Sequence, residues 1–260
     1  MFFVDTHTHL YLNEFDSDRQ EVVQRAIDGG VKYMLLPNID STSIEPLHGL
    51  QAAFPQHCIA MMGLHPTSVK ESWKEELRIV ETHLTDGKYC AVGEVGLDFY
   101  WDQTYRMEQE KAFRLQIELA KHFHLPLVIH SRKALDEIIH IVKEMKTPEM
   151  TGVFHCYPGS LEQALQVVKL GFKLGIGGVV TYKNSALGHI IQKIGLENIV
   201  LETDSPFISP VPYRGKRNES AHIRVIAEKV AEILVVDVAQ VAEITTRSAF
   251  KLFPSLHTTQ

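Results

Sequence analysis

The sequence predicts an α/β protein, a (β/α)8 barrel with an extra helix at its C-terminus. Short apolar runs of strand length alternate with amphipathic stretches of helix length along the 260 residues. Several of these runs are rich in Val, Ile, Leu and Met, a composition typical of parallel strands buried on both faces. No Pro-rich or Ser-rich linker divides the chain. We therefore expect residues 1–260 to form a single barrel domain.

The apolar runs define eight strands in chain order. The predicted strands are Phe2–Thr6, Lys32–Pro37, Ile59–Leu64, Cys90–Val95, Leu127–Ile129, Gly152–Phe154, Lys173–Gly177 and Ile199–Glu202. An open, doubly wound sheet is the alternative arrangement for such an alternation. A dinucleotide-binding sheet of that kind carries a GxGxxG turn after its first strand. Here the first strand is followed by His7 and His9 instead, which favours the barrel.

Amphipathic stretches of helix length lie between the strands. They are Arg19–Asp28, Trp73–Leu84, Arg106–Phe123, Leu135–Met145, Leu161–Leu170, Ser185–Ile194 and Ala221–Leu234. The first is expected to end at Gly29 and Gly30, because glycine accommodates the turn that terminates a helix. A final helix, Asp237–Leu252, follows the eighth strand, and Asp237 suits its N-cap position.

The charge balance excludes a protein that coats nucleic acid through a broadly basic surface. The chain has 26 Lys and Arg residues against 32 Asp and Glu residues, a net charge of −6. A nucleic-acid enzyme with a local basic patch is compatible with this balance. The three widely spaced cysteines, Cys58, Cys90 and Cys156, indicate a reducing compartment. With no signal-peptide pattern and no long apolar run, we expect a cytoplasmic protein that does not enter membranes.

Catalytic residues of a (β/α)8 barrel come from the carboxyl ends of its strands. In this sequence those ends carry many of the 14 histidines, together with several carboxylates. The candidate residues there are His7, His9, His65, Glu94, Asp98, His130, His155 and Asp204. Because these ends meet at one rim of a barrel, the sequence predicts a polar site at that rim.

His7 and His9 are the clearest metal-ligand candidates. They stand two residues apart on an extended segment, so both imidazole rings point to the same side. Two convergent imidazoles are a geometry that binds divalent metals. The alternative is a pair of half-buried histidines that hydrogen-bond to the backbone. The other polar residues at the rim favour a metal site, and Asp5 is expected to support it from behind.

Glu94, His130, His155 and Asp204 are the further ligand candidates. A buried Glu94 needs a partner, which a metal ion supplies and a neighbouring backbone group also can. Singly, His130 and His155 would be ordinary core histidines and Asp204 an N-cap, but their shared rim favours ligation. Asp98 lies four residues beyond Glu94 and is expected in the loop. No lysine stands at a strand's carboxyl end, which leaves Glu94 as the candidate bridge between two ions.

Seven segments resemble the TatD-type metal-dependent deoxyribonucleases of the amidohydrolase superfamily. They are Val4–Leu10, Gly63–Pro66, Gly93–Asp98, Ile129–Arg132, Leu201–Pro206, Pro212–Glu219 and Thr245–Phe253. The resemblance covers nearly the whole chain and implies one metal-dependent hydrolase barrel domain. It also implies cleavage of DNA phosphodiester bonds, in the 3′→5′ direction on single strands.

The resemblance implies up to two divalent cations as cofactors. It assigns the ligands as His7, His9, Glu94 and Asp204 for the first ion and Glu94, His130 and His155 for the second. We expect Asp204 and Glu94 to be catalytic, with Glu94 bridging the ions and Asp204 orienting the attacking water. Imidazole ligands suit Zn²⁺ or Mn²⁺ and oxygen ligands suit Mg²⁺, so the donor set is compatible with all three.

Three residues are the candidate substrate contacts. His65 is expected to touch the phosphate or the leaving group, or else only its own turn. Arg132 is a candidate phosphate clamp, because guanidinium fits phosphate oxygens bidentately, or else a surface charge. Arg217 belongs to a basic run after the eighth strand, a loop that often binds phosphate in barrels, or else to a solvated loop. Single-stranded DNA is the expected partner, and no obligate protein partner is evident.

Two other functions are open at this stage. A metal-dependent amidohydrolase or esterase could use the same ligands on a small molecule. A non-catalytic binding protein could keep the fold without the reaction. The basic run and the lack of a lysine bridge favour phosphodiesters, and the complete ligand set argues against lost catalysis.

Overall fold

The computed structural model describes residues 1–257, among which eight parallel strands form the predicted (β/α)8 barrel. The strands are β1 (Phe3–Asp5), β2 (Val31–Leu36), β3 (Cys58–Ala60), β4 (Val92–Asp98), β5 (Leu127–Arg132), β6 (Gly152–Phe154), β7 (Lys173–Ile176) and β8 (Ile199–Leu201). They pair in chain order as two sheets, β1 to β3 and β4 to β8. Met62 pairs with Val92 between the sheets, and the Thr6 amide donates to the Leu201 carbonyl oxygen at 3.1 Å. Residues 258–260 of the predicted domain lie outside the described residues.

A helix follows every strand. The helices are α1 (Arg19–Asp28), α2 (Ile44–Ala53), α3 (Trp73–Asp86), α4 (Arg106–Phe123), α5 (Leu135–Met145), α6 (Leu161–Lys169), α7 (Leu187–Ile194), α8 (Ile223–Leu234) and α9 (Val238–Leu252). Helix α9 is the predicted extra helix, and α1 ends as expected at Gly29, followed by Gly30 at φ +89°. Between Met1 and His257 no helix has both the length and the apolar character needed to cross a bilayer.

Helix α2 is missing from the sequence-based prediction. It contains Pro46 and Gly49, the two residue types that most disfavour a helix interior. Pro46 falls in the first turn, where no intrahelical hydrogen bond needs its missing amide proton. Leu47 and Leu50 are buried, so packing against the barrel stabilises a segment whose intrinsic propensity is low.

Strands β4 and β5 both extend three residues beyond their predicted ends. Asp98 pairs with Arg132 at the last position of the ladder. The expectation that Asp98 lies in a loop is therefore wrong. Polar residues at these strand ends face a shared polar cluster, which is why the change from apolar to polar sequence does not mark the end of either strand.

The interior of the barrel is filled with apolar side chains. One buried cluster joins residues of five strands to residues of α9 and the segment after it: Val4, Tyr33, Leu35, Val128, Val153, Val200, Ala249, Leu252, Phe253 and Leu256. Inward-facing residues of alternate strands meet in such layers in a closed barrel. Helix α9 closes the amino-terminal end of the barrel. The carboxyl end is left as the open one.

Candidate active site

A cavity of about 630 Å³ lies at the carboxyl ends of the strands. Its polar lining includes His9, Glu94, His130, His155 and Asp204. The structure thus gathers at one place side chains that the sequence distributes over some 200 positions. The volume lies within the range of small-molecule and cofactor sites.

Backbone hydrogen bonds hold His7 and His9 beside β8. The Asp204 amide donates to the His7 carbonyl oxygen at 2.9 Å, and the His9 amide donates to the Ser205 carbonyl oxygen at 2.7 Å. Asp5 supports this junction from behind, as predicted: its carboxylate accepts from the Thr203 amide at 2.9 Å and from the Thr203 hydroxyl at 2.6 Å. The two histidines are therefore fixed by the hydrogen bonds that join the segment after β1 to the segment after β8.

Four side chains that can each offer a lone pair to a metal ion converge on one point. The Nε2 atoms of His7 and His9 are 3.2 Å apart. Glu94 Oε2 lies 3.1 Å from His7 Nε2 and 3.6 Å from His9 Nε2, and Asp204 Oδ1 lies 3.8 Å and 3.6 Å from the same two atoms. Two imidazole nitrogens and two carboxylate oxygens facing one another are the donor set of a divalent cation.

Tyr11 fixes which nitrogen of His9 is free to bind. The Tyr11 hydroxyl donates to the Pro37 carbonyl oxygen at 2.6 Å, so it accepts from the Nδ1 proton of His9 at 3.0 Å. The lone pair of neutral His9 is therefore on Nε2, the atom that faces Glu94 and Asp204. This is the tautomer that a metal-ligating histidine needs.

Glu94 presents its second oxygen to another group of histidines. Glu94 Oε1 lies 2.8 Å from His130 Nδ1, 3.5 Å from His65 Nε2 and 3.9 Å from His155 Nε2. Side chains of the groups His7–His9–Glu94, His7–His155–Asp204 and His65–Glu94–His130 each offer atoms within 4.8 Å of one another. Glu94 stands between two donor groups, the position that a bridging carboxylate occupies.

His65 makes the contacts within its own turn that were one of its two predicted roles, and its contact with a phosphate stays a prediction. Its Nδ1 accepts from the Thr67 amide at 3.1 Å, within its own turn. The proton of the neutral ring is consequently on Nε2, which faces the cavity. His65 is therefore a hydrogen-bond donor toward the cavity rather than a lone-pair donor to a metal.

Glu202 is a buried partner of His155, and sequence reasoning gave it no role. Glu202 Oε1 lies 3.0 Å from His155 Nδ1 and accepts from the Cys156 amide at 2.5 Å. A Cβ at Gly175 would lie 2.3 Å from Glu202 Oε2, so only glycine leaves room for this carboxylate. The signal in the sequence is a second acidic residue at the end of β8, two positions before Asp204.

Asp98 contacts His130 at the bottom of the cavity, as Glu202 contacts His155. His130 Nε2 lies 3.0 Å from Asp98 Oδ2, while its Nδ1 faces Glu94. Burial alone lowers the pKa of His130, but the hydrogen bonds to Asp98 and Glu94 outweigh burial and raise it. Both nitrogens of the ring can then donate hydrogen bonds, and ligation of a metal ion by His130 would require the loss of one of these protons.

The buried carboxylates determine the charge of the cluster. Burial raises the pKa of Asp204 to about 6, although the positive charge of His155 acts to lower it. Burial lowers the pKa of His155, but Glu202, Asp204 and Glu94 outweigh it and raise it to about 10. Positive charge on His155 thus balances the acids, and a divalent cation held at the same place would supply such charge equally. The residues present fit a metal ion.

Several residues at this rim have a left-handed backbone. Lys133, Cys156, Asp204 and Ile208 have φ values of +57°, +43°, +58° and +48°. They follow β5, β6 and β8. Non-glycine residues adopt this conformation at a cost, and they are concentrated at functional sites.

The two candidate arginines are placed differently. Arg132 lines the cavity and lies over the rings of Tyr100 and Trp101. Arg217 makes two hydrogen bonds to Asp18, at 2.7 and 2.6 Å, and is absent from the cavity lining. The contact of Arg217 with a phosphate stays a prediction, and it requires this ion pair to open.

Comparison with known proteins agrees with the resemblance seen in the sequence. The model of the family described as TatD related DNase matches residues 4–254. The chain belongs to the TatD family. The metal-dependent hydrolase YabD of Bacillus subtilis is 35% identical over 250 residues, covering 96% of this chain and 98% of YabD. The metal-dependent hydrolase YcfH of Escherichia coli is 30% identical over 97% of this chain and 96% of its own.

The crystal structure of the TatD homologue YjjV from Escherichia coli superposes on this TatD-family barrel with a TM-score of 0.91. The two chains are 29% identical, and the match covers 97% of this chain and 98% of YjjV. The fold prediction is thus confirmed, and the chain is placed among metal-dependent hydrolases.

Proposed function

We propose that this protein is a divalent-metal-dependent hydrolase that cleaves DNA phosphodiester bonds, releasing nucleotides 3′→5′ from single strands. The observation that carries the proposal is the position of Glu94, whose two oxygens face two separate groups of donors. Paired ion sites of this kind are common in enzymes that hydrolyse phosphate esters. The family's description as DNase-related supports DNA as the substrate.

The residues that would hold the ions are those that the resemblance to the TatD family implies. They are His7, His9, Glu94 and Asp204 for the first ion and Glu94, His130 and His155 for the second. In support, Glu94 lies 2.8 Å from His130 and 3.9 Å from His155, and His7 groups with His9 and Glu94. Bound divalent ions supply two effects, a lowered pKa of water and a polarised phosphoryl oxygen. Mg²⁺, Mn²⁺ and Zn²⁺ are the candidates.

Asp204 is placed to handle the proton of the attacking water. Its carboxylate lines the cavity, and its pKa of about 6 leaves it deprotonated at neutral pH. It can therefore accept a hydrogen bond from a water molecule, orient it and take its proton. His65 directs its Nε2 proton into the same cavity, where it donates to a phosphate oxygen or to the leaving oxygen. Arg132 is the cavity-lining guanidinium and pairs with phosphate.

The net charge of −6 places the attraction for DNA on local cations at the rim. We further propose one hydrolase domain over residues 1–260 and a cytoplasmic location.

A metal-resupply assay tests the proposal. Protein stripped of metal is resupplied separately with Mg²⁺, Mn²⁺ or Zn²⁺ and given end-labelled single-stranded and double-stranded DNA, simple esters and simple amides. We expect stepwise shortening of single strands from the 3′ end, dependent on added metal. Turnover of esters or amides without DNA cleavage would establish the small-molecule alternative, and turnover of none of them would reject the enzyme.

A further inference from the structure

Arg132 and Arg214 differ from the other arginines of the chain. Within residues 1–257, each of the others lies within 4.0 Å of a carboxylate. The guanidinium of Arg132 instead lies 4.0 Å from the ring centre of Tyr100 and 4.9 Å from that of Trp101. Arg214 lies 4.7 Å from the ring centre of Tyr182. Their charges are held in place by aromatic rings and are free to pair with an anion.

Of these two, Arg132 is the one that lines the cavity. It stands two residues after His130 on β5, so both side chains leave the strand on the same face. Its place on the strand, a step of about 6.6 Å from His130, sets it beside the floor rather than on it. An anion next to the scissile phosphate, and not the scissile phosphate itself, is its natural partner.

The aromatic rings beside Arg132 are unusually exposed. Trp101 is 69% exposed and Tyr100 is 51% exposed, although both are large apolar groups that folding normally buries. Trp101 lines the cavity, and Phe207, which is 46% exposed, lines it too. With Arg132 near one part of its ring, Trp101 still has a large free surface. Exposed aromatic rings beside a cavity are platforms for planar ligands.

We infer that Trp101 and Arg132 form a nucleotide subsite next to the scissile bond. Trp101 stacks on the base of the nucleotide adjacent to the scissile phosphate, and Arg132 pairs with that nucleotide's other phosphate. The inference rests on the proposed nuclease function. It specifies the substrate class as a strand with a base and a second phosphate, rather than a phosphomonoester or a neutral ester. Stacking accepts every base, so we expect little sequence preference.

An abasic substrate isolates the stacking contact. A short single strand is compared with the same strand lacking the base beside the scissile phosphate. For the unaltered protein we expect KM to rise about tenfold on loss of the base. Trp101→Ala should raise KM for the intact strand by a similar factor and should no longer distinguish the two strands. Trp101→Phe should retain most of the discrimination, because it keeps an aromatic ring.

Arg132→Gln tests the phosphate contact. We expect a higher KM and a slope of log affinity against log salt that is shallower by about 0.7. Arg224→Gln is the matched control, because Arg224 lies on α8 at an exposed ion pair with Glu228. It should leave KM and the salt slope unchanged.

A fluorescence measurement separates this inference from the nuclease proposal. The chain has two tryptophans, so Trp73→Phe leaves Trp101 as the sole tryptophan reporter. A phosphorothioate strand that resists cleavage should quench this emission, and its abasic counterpart should not. Equal abasic penalties in the unaltered protein and Trp101→Ala, with DNA cleavage intact, would overturn the subsite. Absence of DNA cleavage together with absence of quenching would overturn the nuclease proposal as well.

Discussion

The two ends of the barrel are built from the same strands and have opposite chemistry. At the amino-terminal end, Leu252, Phe253 and Leu256 seal an interior of apolar side chains. At the carboxyl end, acids and imidazoles such as Glu94 and His7 are buried almost as completely. Burial of apolar surface stabilises the fold, whereas burial of charged groups is costly unless they are paired. Burial at the amino-terminal end therefore stabilises the fold, whereas burial of the polar groups at the carboxyl end costs part of that stability.

Left-handed backbone conformations show the same contrast. His124 and Val235, at φ +54° and +57°, terminate α4 and α8, a common way for a helix to end. Asp204 and Cys156 adopt similar φ values within three residues of the ends of β8 and β6, beside the buried acids. The same conformation thus serves as an ordinary helix cap away from the site and as a means of aiming side chains within it.

Glu94→Ala should give the largest effect and remove the function of the carboxyl end. We expect activity to fall by more than about 100-fold, since even residues that only support ligands cause losses of that order. Metal content, measured by elemental analysis, should fall at both positions, because Glu94 faces both donor groups. Glu228→Ala, on the exposed face of α8, is the control. Undiminished metal content in Glu94→Ala would show that Glu94 is not a ligand.

Phe253→Ala should destabilise the amino-terminal end of the barrel and leave the carboxyl end unaffected. The side chain is fully buried in the barrel interior, so its truncation should cost about 3–5 kcal/mol of unfolding free energy. Below the unfolding transition, activity and metal content per molecule should stay unchanged. Denaturant titration compares this variant with Val235→Ala, a change at a 91% exposed position. A loss of activity that exceeds the unfolded fraction would mean that the two ends are coupled.

Glu202→Gln should weaken metal binding at the carboxyl end without abolishing it. The amide can still lie beside His155 Nδ1, but it lacks the charge that orients the ring and strengthens it as a ligand. We expect metal affinity at the second position to fall by about 10–100-fold, with activity recovered at high metal concentration. Calorimetric metal titration provides the measurement. Unchanged affinity would reduce Glu202 to a purely structural partner of the Cys156 amide.

Arg217→Ala should have the smallest effect. Its ion pair with Asp18 is partly exposed, so we expect a loss of about 1 kcal/mol or less at neutral pH. Hydrogen bonding from Arg217 lowers the pKa of Asp18. This contribution is therefore present above the ordinary pKa of an aspartate and disappears as pH falls through the lowered one.

The same variant tests whether Arg217 contacts DNA. A phosphate contact would make the salt slope of single-strand binding shallower by about 0.7 in Arg217→Ala. Parallel salt slopes for the two proteins would assign Arg217 to the fold alone, since its guanidinium is already held by Asp18.

The regular parts of the molecule were predictable because they follow periodic rules. Buried parallel strands are apolar throughout, and strand ends meet at one rim, so the barrel and the convergence of His7 on Glu94 could be anticipated. Helix α2 was missed because Pro46 and Gly49 hide its propensity. The roles of Asp98 and Glu202 were missed because they depend on contacts between strands. Asp98 contacts His130 and Glu202 contacts His155, and the spacing of residues along the sequence does not reveal these distances.

The candidate metal site lies where the segment after β1 meets the segment after β8. The Asp204 amide bonds to His7, the His9 amide bonds to Ser205, and Asp5 holds Thr203. A growing polypeptide therefore carries His7 and His9 without the partners that complete the site until residues 204 and 205 have been added. Hydrolytic capacity can arise only after residue 205 has left the ribosome and β8 has joined β1.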